Sequence, residues 1–243
     1  GTDSPLAVQL LDRLARRRVV TFGFRRADWI AQPDATDGPS RAFSVMYRGR
    51  KAAEVRLRLV GRHHVINALA ALVAAVESGV DARQAAEALA EFSGLERRLE
   101  YLGRHGDVEF YDDFAHHPTE IAATLTTLRQ LHPRRRLVCV FQPHQRRRTI
   151  GLLDEFAKSL AAADLLAITD IFAAREPPGV GPDGIADELR RRVRGPVSIV
   201  AESPDRLPQM LVEALTAGDL FVTLGAGDIR QLADAVRRKW MGI

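Results

Sequence analysis

Tyr111-Asp112-Asp113-Phe114-Ala115-His116-His117-Pro118-Thr119-Glu120 sets paired acids and paired histidines between an apolar strand and a helix. Proline is preorganised for the first helical position and a glutamate suits the first turn, so the helix starts at Pro118. Beyond it the same grammar repeats. Strand-like segments near 107–111, 136–141, 165–170, 197–201 and 219–224 alternate with helical ones near 118–131, 152–163, 183–194, 205–217 and 228–239. Short apolar strands alternating with helices of this length predict an α/β fold: a Rossmann-like, mostly parallel sheet with helices on both faces. In such sheets ligands gather at the carboxyl ends of the strands, which makes the loops after the strands the places to search.

Upstream the pattern differs. Residues 6–17 read as a short helix, followed by the apolar strand Val19-Val20-Thr21-Phe22 ending at Gly23. Short alternating strands occupy 28–59, interrupted by the turn-rich stretch 33–39. A helix opens near Arg62, with Val65, Ile66, Leu69, Leu72, Val73 and Val76 on the 3.6-residue period, and Gly79 stops it. A second helix at about 81–91 leads to Phe92-Ser93-Gly94-Leu95, which reads as a hinge. Two domains are therefore expected, 1–95 and 96–243.

The 243 residues, 46% hydrophobic and 27% charged, suit a protein that buries a real core. No apolar run reaches a membrane span, and Gly1-Thr2-Asp3-Ser4-Pro5 carries no targeting pattern, so no membrane partner is expected. The single cysteine, Cys139, lies in an apolar run and fits a core position in a reducing, cytoplasmic setting. Arginine supplies nearly all the positive charge, the only lysines being Lys51, Lys158 and Lys239. The clusters Arg134-Arg135-Arg136 and Arg190-Arg191-Arg192 sit at helix ends and turns without interleaved aromatics, so nucleic acid is not the expected partner.

Three loops carry unusual polar residues. In the first, the N–H groups that open the helix at Pro118 favour a carboxylate or phosphate near His116. Simple capping by Asp112 or His117 is the bland alternative. A metal site is another, although adjacent histidines point apart and no further His or Cys stands at ligand spacing. The second is Phe141-Gln142-Pro143-His144-Gln145-Arg146-Arg147-Arg148-Thr149, where arginine forks match carboxylates or phosphates and His144 can share a proton. The third is Gly61-Arg62-His63-His64-Val65-Ile66-Asn67, with His63 and Asn67 on one helix face. Asn67 sits among apolar neighbours, where an unpartnered amide would cost about 1–3 kcal/mol, and an adenine edge would satisfy it. Bonding to backbone is the alternative. Gly225-Ala226-Gly227 reads as tight packing without chemistry.

Taken in order, these strings resemble the Mur ligases, the ATP-dependent enzymes that build the peptide stem of peptidoglycan. The resemblance also covers Val20-Thr21-Phe22-Gly23-Phe24, Gly94-to-Glu100, Ala163-to-Glu176 and Leu224-to-Ile229. The Asp112-to-Glu120 and Phe141-to-His144 strings are specific to the branch that acts first or on recycled peptide. It implies that residues 1–95 are the C-terminal part of a central ATPase domain and 96–243 an amino-acid-binding domain. It further implies ligation of L-alanine to UDP-N-acetylmuramate through an acyl phosphate, with ATP and Mg2+ required. The alternatives are a recycling ligase that takes L-Ala-γ-D-Glu-diaminopimelate and a non-catalytic binding module. Carried over, Asn67 would contact adenine with His63 near the nucleotide, Arg98 and Asp113 would meet the phosphates and ribose, and His116, His144 and Arg148 would line the alanine and acyl-phosphate pocket. Two departures stand out: the family often has asparagine at His64 and arginine at Gln145, the latter one of two carboxylate-binding arginines.

The family's phosphate loop needs Gly-Lys followed by Ser or Thr, and none of the three lysines follows a glycine. Most of the family's magnesium ligands are expected to lie outside these residues as well. Purified residues 1–243 alone are therefore expected not to hydrolyse ATP; phosphate release above background would overturn this.

Overall fold

The computed structural model describes residues 1–14, 17–34, 41–177, 181, 184–200 and 204–243. They form two compact units, Gly1–Gly94 and Leu95–Ile243. The expected strand residues 201 and the turn residues 35–39 lie outside the described residues.

The first unit begins with α1 (Pro5–Leu11) and a short 3-10 turn, and so ends its helix earlier than residue 17. Four strands follow: β1 (Phe22–Gly23), β2 (Trp29–Pro33), β3 (Ala42–Tyr47) and β4 (Arg50–Arg56). They form one sheet in sequence order, with β1 parallel to β2 and the rest antiparallel. Arg48 and Gly49, at φ 46° and 83°, make the two-residue turn between β3 and β4, the geometry that matches the strands' twist. The helix α2 (Arg62–Glu77) buries Val65, Ala68, Leu69, Leu72 and Val73 against Trp29, Phe43, Val45 and Val55. Asp81 caps α3 (Ala82–Glu91) by accepting the N–H groups of Arg83 and Gln84.

The second unit contains β5 (Glu100–His105), β6 (Val108–Asp113), α4 (Pro118–Leu131), β7 (Leu137–Phe141), α5 (Arg146–Gly151) and α6 (Leu153–Leu160). It continues through β8 (Leu165–Ile168), α7 (Ile185–Arg192), β9 (Val197–Ile199), α8 (Leu207–Ala214), β10 (Leu220–Leu224) and α9 (Ile229–Met241). The strand order is β5-β6-β10-β7-β8-β9, parallel except for β5. Period-two geometry sends Leu137, Cys139 and Phe141 to the face covered by α4, α6 and α7, and Val138 and Val140 to the face covered by α8 and α9. Both faces are dry, which is why the strands read as continuous apolar runs. Cys139 is fully buried, and burial pushes its thiol up out of reactive range.

Two elements escaped the sequence pattern. β5 is a half-buried edge strand held by its antiparallel ladder to β6, with an irregular register between Tyr101 and Gly103, so it shows no clean alternation. α5 is only six residues long. The helix expected from 205 opens instead as a 3-10 turn, Pro204–Arg206, before α8. Members of both arginine clusters have acidic partners in the fold: Arg136 grips the buried Asp219, Arg135 meets Asp107 and Glu109, and Arg190, Arg191 and Arg192 pair with Asp187, Glu188 and Asp154.

Insertion of β10 between β6 and β7 is what positions the site. Leu224 stands level with Asp113 on one side and Phe141 on the other, so the loops after β6, β7 and β10 meet at one end of the sheet. Arg97 ties two of them. Its Nε donates to Asp112, which is fully buried, at 3.0 Å, and its terminal nitrogens donate to the carbonyls of Gly227 (3.0 Å) and Gly225 (2.6 Å). Removing one partner of a buried pair strands the other charge, at about 3–5 kcal/mol. Arg97→Met is thus expected to lower the stability of the second unit by about 3 kcal/mol. Urea denaturation followed through Trp240, in a Trp29→Phe background, measures it; a loss under about 1 kcal/mol, the level of an exposed pair, would contradict the assignment.

Candidate active site

The loop after β6 is fixed from below by Asp113. Only 4% exposed, its carboxylate accepts the N–H groups of Leu99 (3.0 Å) and Ala115 (2.9 Å) and the hydroxyl of Thr124 (2.8 Å). Burial pushes its carboxyl up, opposed by those donors and by Arg98. Asp113 was expected to meet ribose or phosphate; here its oxygens accept three hydrogen bonds from within the fold and brace the loop. Sequence gave no sign of this, since an acid at a strand end can face either way.

His117 does what the bland reading proposed. Its Nδ1 accepts the N–H of Thr119 while Glu120 accepts the N–H groups of His117 (3.2 Å) and His116 (2.9 Å), a reciprocal cap on α4. The His116 ring is held by Nδ1, which lies 2.9 Å from the Phe114 carbonyl and 3.3 Å from the Glu120 carboxylate. A carbonyl can only accept, so Nδ1 carries the hydrogen and Nε2 is left for other work.

The loop after β7 is clamped by the loop after β8. Phe172 donates its N–H to Pro143 (2.8 Å) and accepts that of Gln145 (3.0 Å), while Glu176 accepts the N–H groups of Arg146 (2.5 Å) and Arg147 (3.1 Å). His144 is thereby stacked on the Phe172 ring (centroids 5.7 Å, 19°) and meets the His116 ring edge-on (5.6 Å, 64°). Arg148 donates through Nη2 to the Gln145 amide oxygen (3.0 Å). Three buried groups in this loop and α5 have no hydrogen-bond partner among the described residues: Oε1 of Gln142, Nδ1 of His144 and Nη1 of Arg148. Each such group costs about 1–3 kcal/mol, a penalty that a ligand relieves. Burial lowers the pKa of His144, and the positive charges of His116 and Arg148 lower it further, against a smaller opposite pull from Glu176.

Gly225 and Gly227 follow β10. A Cβ on Gly227 would fall within 2.6 Å of the Phe172 ring and closer still to the Gln142 amide oxygen. This is the tight packing read from the sequence, and it explains how the loop after β10 can lie against the clamp that carries His144.

In the first unit His63 and Asn67 lie on α2, and the rings of His63 and His64 touch, their centroids 4.1 Å apart. Asn67 is exposed, on the side of the helix away from Val65, Leu69 and Leu72. The argument from a costly buried amide therefore fails: small neighbours such as Ala70 and Ala71 made an outward position look apolar. Arg98 is exposed, its guanidinium 5.3 Å from the Phe114 ring centroid. Among the described residues no group of three or more His, Cys, Asp or Glu could hold a metal ion, and no helix is long and apolar enough to cross a membrane.

The family model described as "Mur ligase, glutamate ligase domain" matches residues 97–227, more than half of the chain. The chain belongs to the Mur ligase family. Among the similar proteins is a UDP-N-acetylmuramate--L-alanine ligase of Nitratidesulfovibrio vulgaris, 40% identical over 93% of this chain and 50% of that protein. Among solved structures, a UDP-N-acetylmuramate-alanine ligase of Thermotoga maritima gives a TM-score of 0.74 at 25% identity, covering 92% of this chain and 48% of that one. A murein peptide ligase of Psychrobacter arcticus gives 0.69 at 28% identity, over 97% and 50% of the two chains. The chain spans about half the length of the relatives it matches.

Phe172, Glu176 and Gln145 were not singled out as working parts of the Mur ligase site from sequence. The usable signal was position: residues 169–177 also follow the carboxyl end of a parallel strand. The electrostatics give a direct expectation. His144, followed by its ring C–H resonances, should titrate below the ordinary histidine value of about 6.5. Arg148→Gln removes one of the charges opposing protonation, so the midpoint should rise; an unchanged midpoint would refute the coupling.

Proposed function

We propose that this chain supplies the amine-binding part of an ATP-dependent ligase that joins L-alanine to UDP-N-acetylmuramate in the cytoplasm, during synthesis of peptidoglycan precursors. The observation that carries the reading is the convergence of His116, His144 and Arg148, with unpartnered buried nitrogens on the last two. The 40% identity to a protein named for that reaction supports it over the recycling ligase.

In the proposed reaction the lactyl carboxylate takes the γ-phosphoryl group of ATP, giving an acyl phosphate and ADP. The amino group of L-alanine then attacks the acyl carbon. The amide C–N bond forms, the C–O bond to phosphate breaks, phosphate leaves and the nitrogen sheds a proton. Arg148 is suited to the alanine carboxylate, because a guanidinium edge offers that group a charge-assisted donor in a sheltered place. His144, held neutral by burial and neighbouring cations, is suited to take the proton from the ammonium group. His116, with its Nδ1–H engaged, presents an Nε2–H donor in its protonated form to the charge that builds on the acyl oxygen or phosphate.

Nucleotide contact falls to other residues. Exposed Asn67 has the donor and acceptor that an adenine edge requires, with His63 one turn away, and exposed Arg98 offers a cation for phosphate. Asp113 braces the loop from within, and the described residues contain no group of three or more His, Cys, Asp or Glu that could hold Mg2+.

The test uses a polypeptide that carries this chain together with a phosphate-binding half. ATP consumption should require UDP-N-acetylmuramate and L-alanine. Turnover with L-Ala-γ-D-Glu-diaminopimelate but not with L-alanine would transfer the assignment to the recycling reaction. Arg148→Gln should raise the KM for L-alanine about tenfold or more while changing kcat less, since a charge-assisted hydrogen bond is worth about 1.5–3 kcal/mol. An unchanged KM would remove Arg148 from the carboxylate site.

A further inference from the structure

Gln145 occupies a backbone conformation that side chains of its kind avoid, with φ 68° and ψ 126°. Such outliers persist only when the surroundings over-determine them, and they cluster at working sites. Gln145 is pinned on every side. Its N–H donates to Phe172 (3.0 Å), and its carbonyl accepts both the N–H (3.1 Å) and the hydroxyl (2.8 Å) of Thr149. What this arrangement delivers is the side chain: the amide oxygen accepts one Nη of Arg148, and the other Nη is left buried and unpartnered. α5 has only six residues, so the helix alone does little to fix where so long a side chain points.

We propose that Gln145 is a positioning residue that aims Arg148: its neutral amide anchors one guanidinium nitrogen and presents the other, with the full positive charge intact, to the carboxylate of the incoming amino acid. The inference rests on the reading of Arg148 given above. Neutrality is the essential property. An amide oxygen orients a guanidinium without cancelling its charge, whereas a carboxylate at the same place would form a charge-assisted pair and compete with the ligand. Gln145 is in this view the device that lets a single arginine serve as the carboxylate receptor. The strained backbone is what keeps the amide within reach.

Purified residues 1–243 provide the test, titrated with L-alanine and with L-alaninamide, which lacks the carboxylate. The Arg148 Nε–H and His144 ring resonances are the readout. The wild-type chain should respond to L-alanine and not to the amide. Gln145→Glu, which preserves shape, should weaken L-alanine binding about tenfold, the effect of a competing charge-assisted pair. Gln145→Gly separates backbone from side chain: glycine accepts the positive φ, so the melting temperature should hold or rise while L-alanine affinity still falls. A merely structural role predicts the reverse, with affinity kept in the glycine variant. If both Gln145 variants bind L-alanine as the wild type does while Arg148→Gln does not, the positioning role is refuted and the arginine assignment stands. If Arg148→Gln also binds normally, or the wild-type chain shows no carboxylate-dependent response, the reading of Arg148 fails and this inference goes with it.

Discussion

Everything at the carboxyl end of the second sheet is referred to one buried charge pair, Arg97 with Asp112. Asp112 is fully buried and is held also by the Thr223 hydroxyl and, at 3.5 Å, by Arg230. Arg97 answers it and uses its remaining donors on two carbonyls of the loop after β10. Burial of such a pair is tolerable because both Asp112 oxygens and all three Arg97 side-chain nitrogens are hydrogen-bonded. The cost shows elsewhere. Arg97 and Leu99 both take left-handed backbone angles, φ 59° and 49°, and the Arg97 carbonyl accepts the Phe114 N–H at 2.6 Å. The chain entering the unit is thus bent around the charge, and the loop that leads to His116 is hung from the bend.

Above this layer lies a more open one. Asp112 and Asp113 have both of their carboxylate oxygens hydrogen-bonded. One layer outward, Nδ1 of His144 and Nη1 of Arg148 have none. Native interiors rarely leave buried donors and acceptors idle, so each of these groups calls for a partner. The clamp from Phe172 and Glu176 keeps the open layer from collapsing inward. It holds the backbone of residues 143–147 through Phe172's N–H and C=O and through the Glu176 carboxylate, and so spends neither the His144 ring nitrogens nor Nη1 of Arg148. That is preorganisation in a concrete sense: the desolvation is borne in folding, before any ligand arrives.

The legibility of this molecule from sequence followed the physics of each signal. Long-period signals survived: α4 spans Pro118–Leu131 as its proline and apolar spacing require, and the Asp112-to-Glu120, Phe141-to-Thr149 and Leu224-to-Ile229 strings sit at the carboxyl ends of parallel strands. Signals that depend on the partner did not. β5 is held by backbone pairing at a sheet edge, which leaves no mark on residue type. Asp113 was assigned to nucleotide by resemblance and Asn67 partly from its apolar neighbours, yet one faces in and the other out, because local neighbours do not reveal which side of an element is covered. Gln145 looked like a deficit, an arginine missing from a pair. Its positive φ and its bond to Arg148 are three-dimensional facts that no residue count encodes.

The charge pattern of the open layer also bears on the order of events. Cations beside His144 lower its proton affinity, which by itself makes it a poor base. On the proposed reading one of those cations, Arg148, is where the carboxylate of the amine substrate docks. A docked carboxylate offsets the guanidinium charge and leaves burial, the largest cause throughout, and His116. The same contact that holds the substrate thereby raises the basicity of the group that must deprotonate it, and it does so only when the substrate is in place. Water or an amine without a carboxylate would leave Arg148 uncompensated and His144 reluctant. A neutral partner at position 145 is required for this coupling to operate, because a carboxylate there would offset Arg148 permanently and raise His144 whether or not an amino acid was bound.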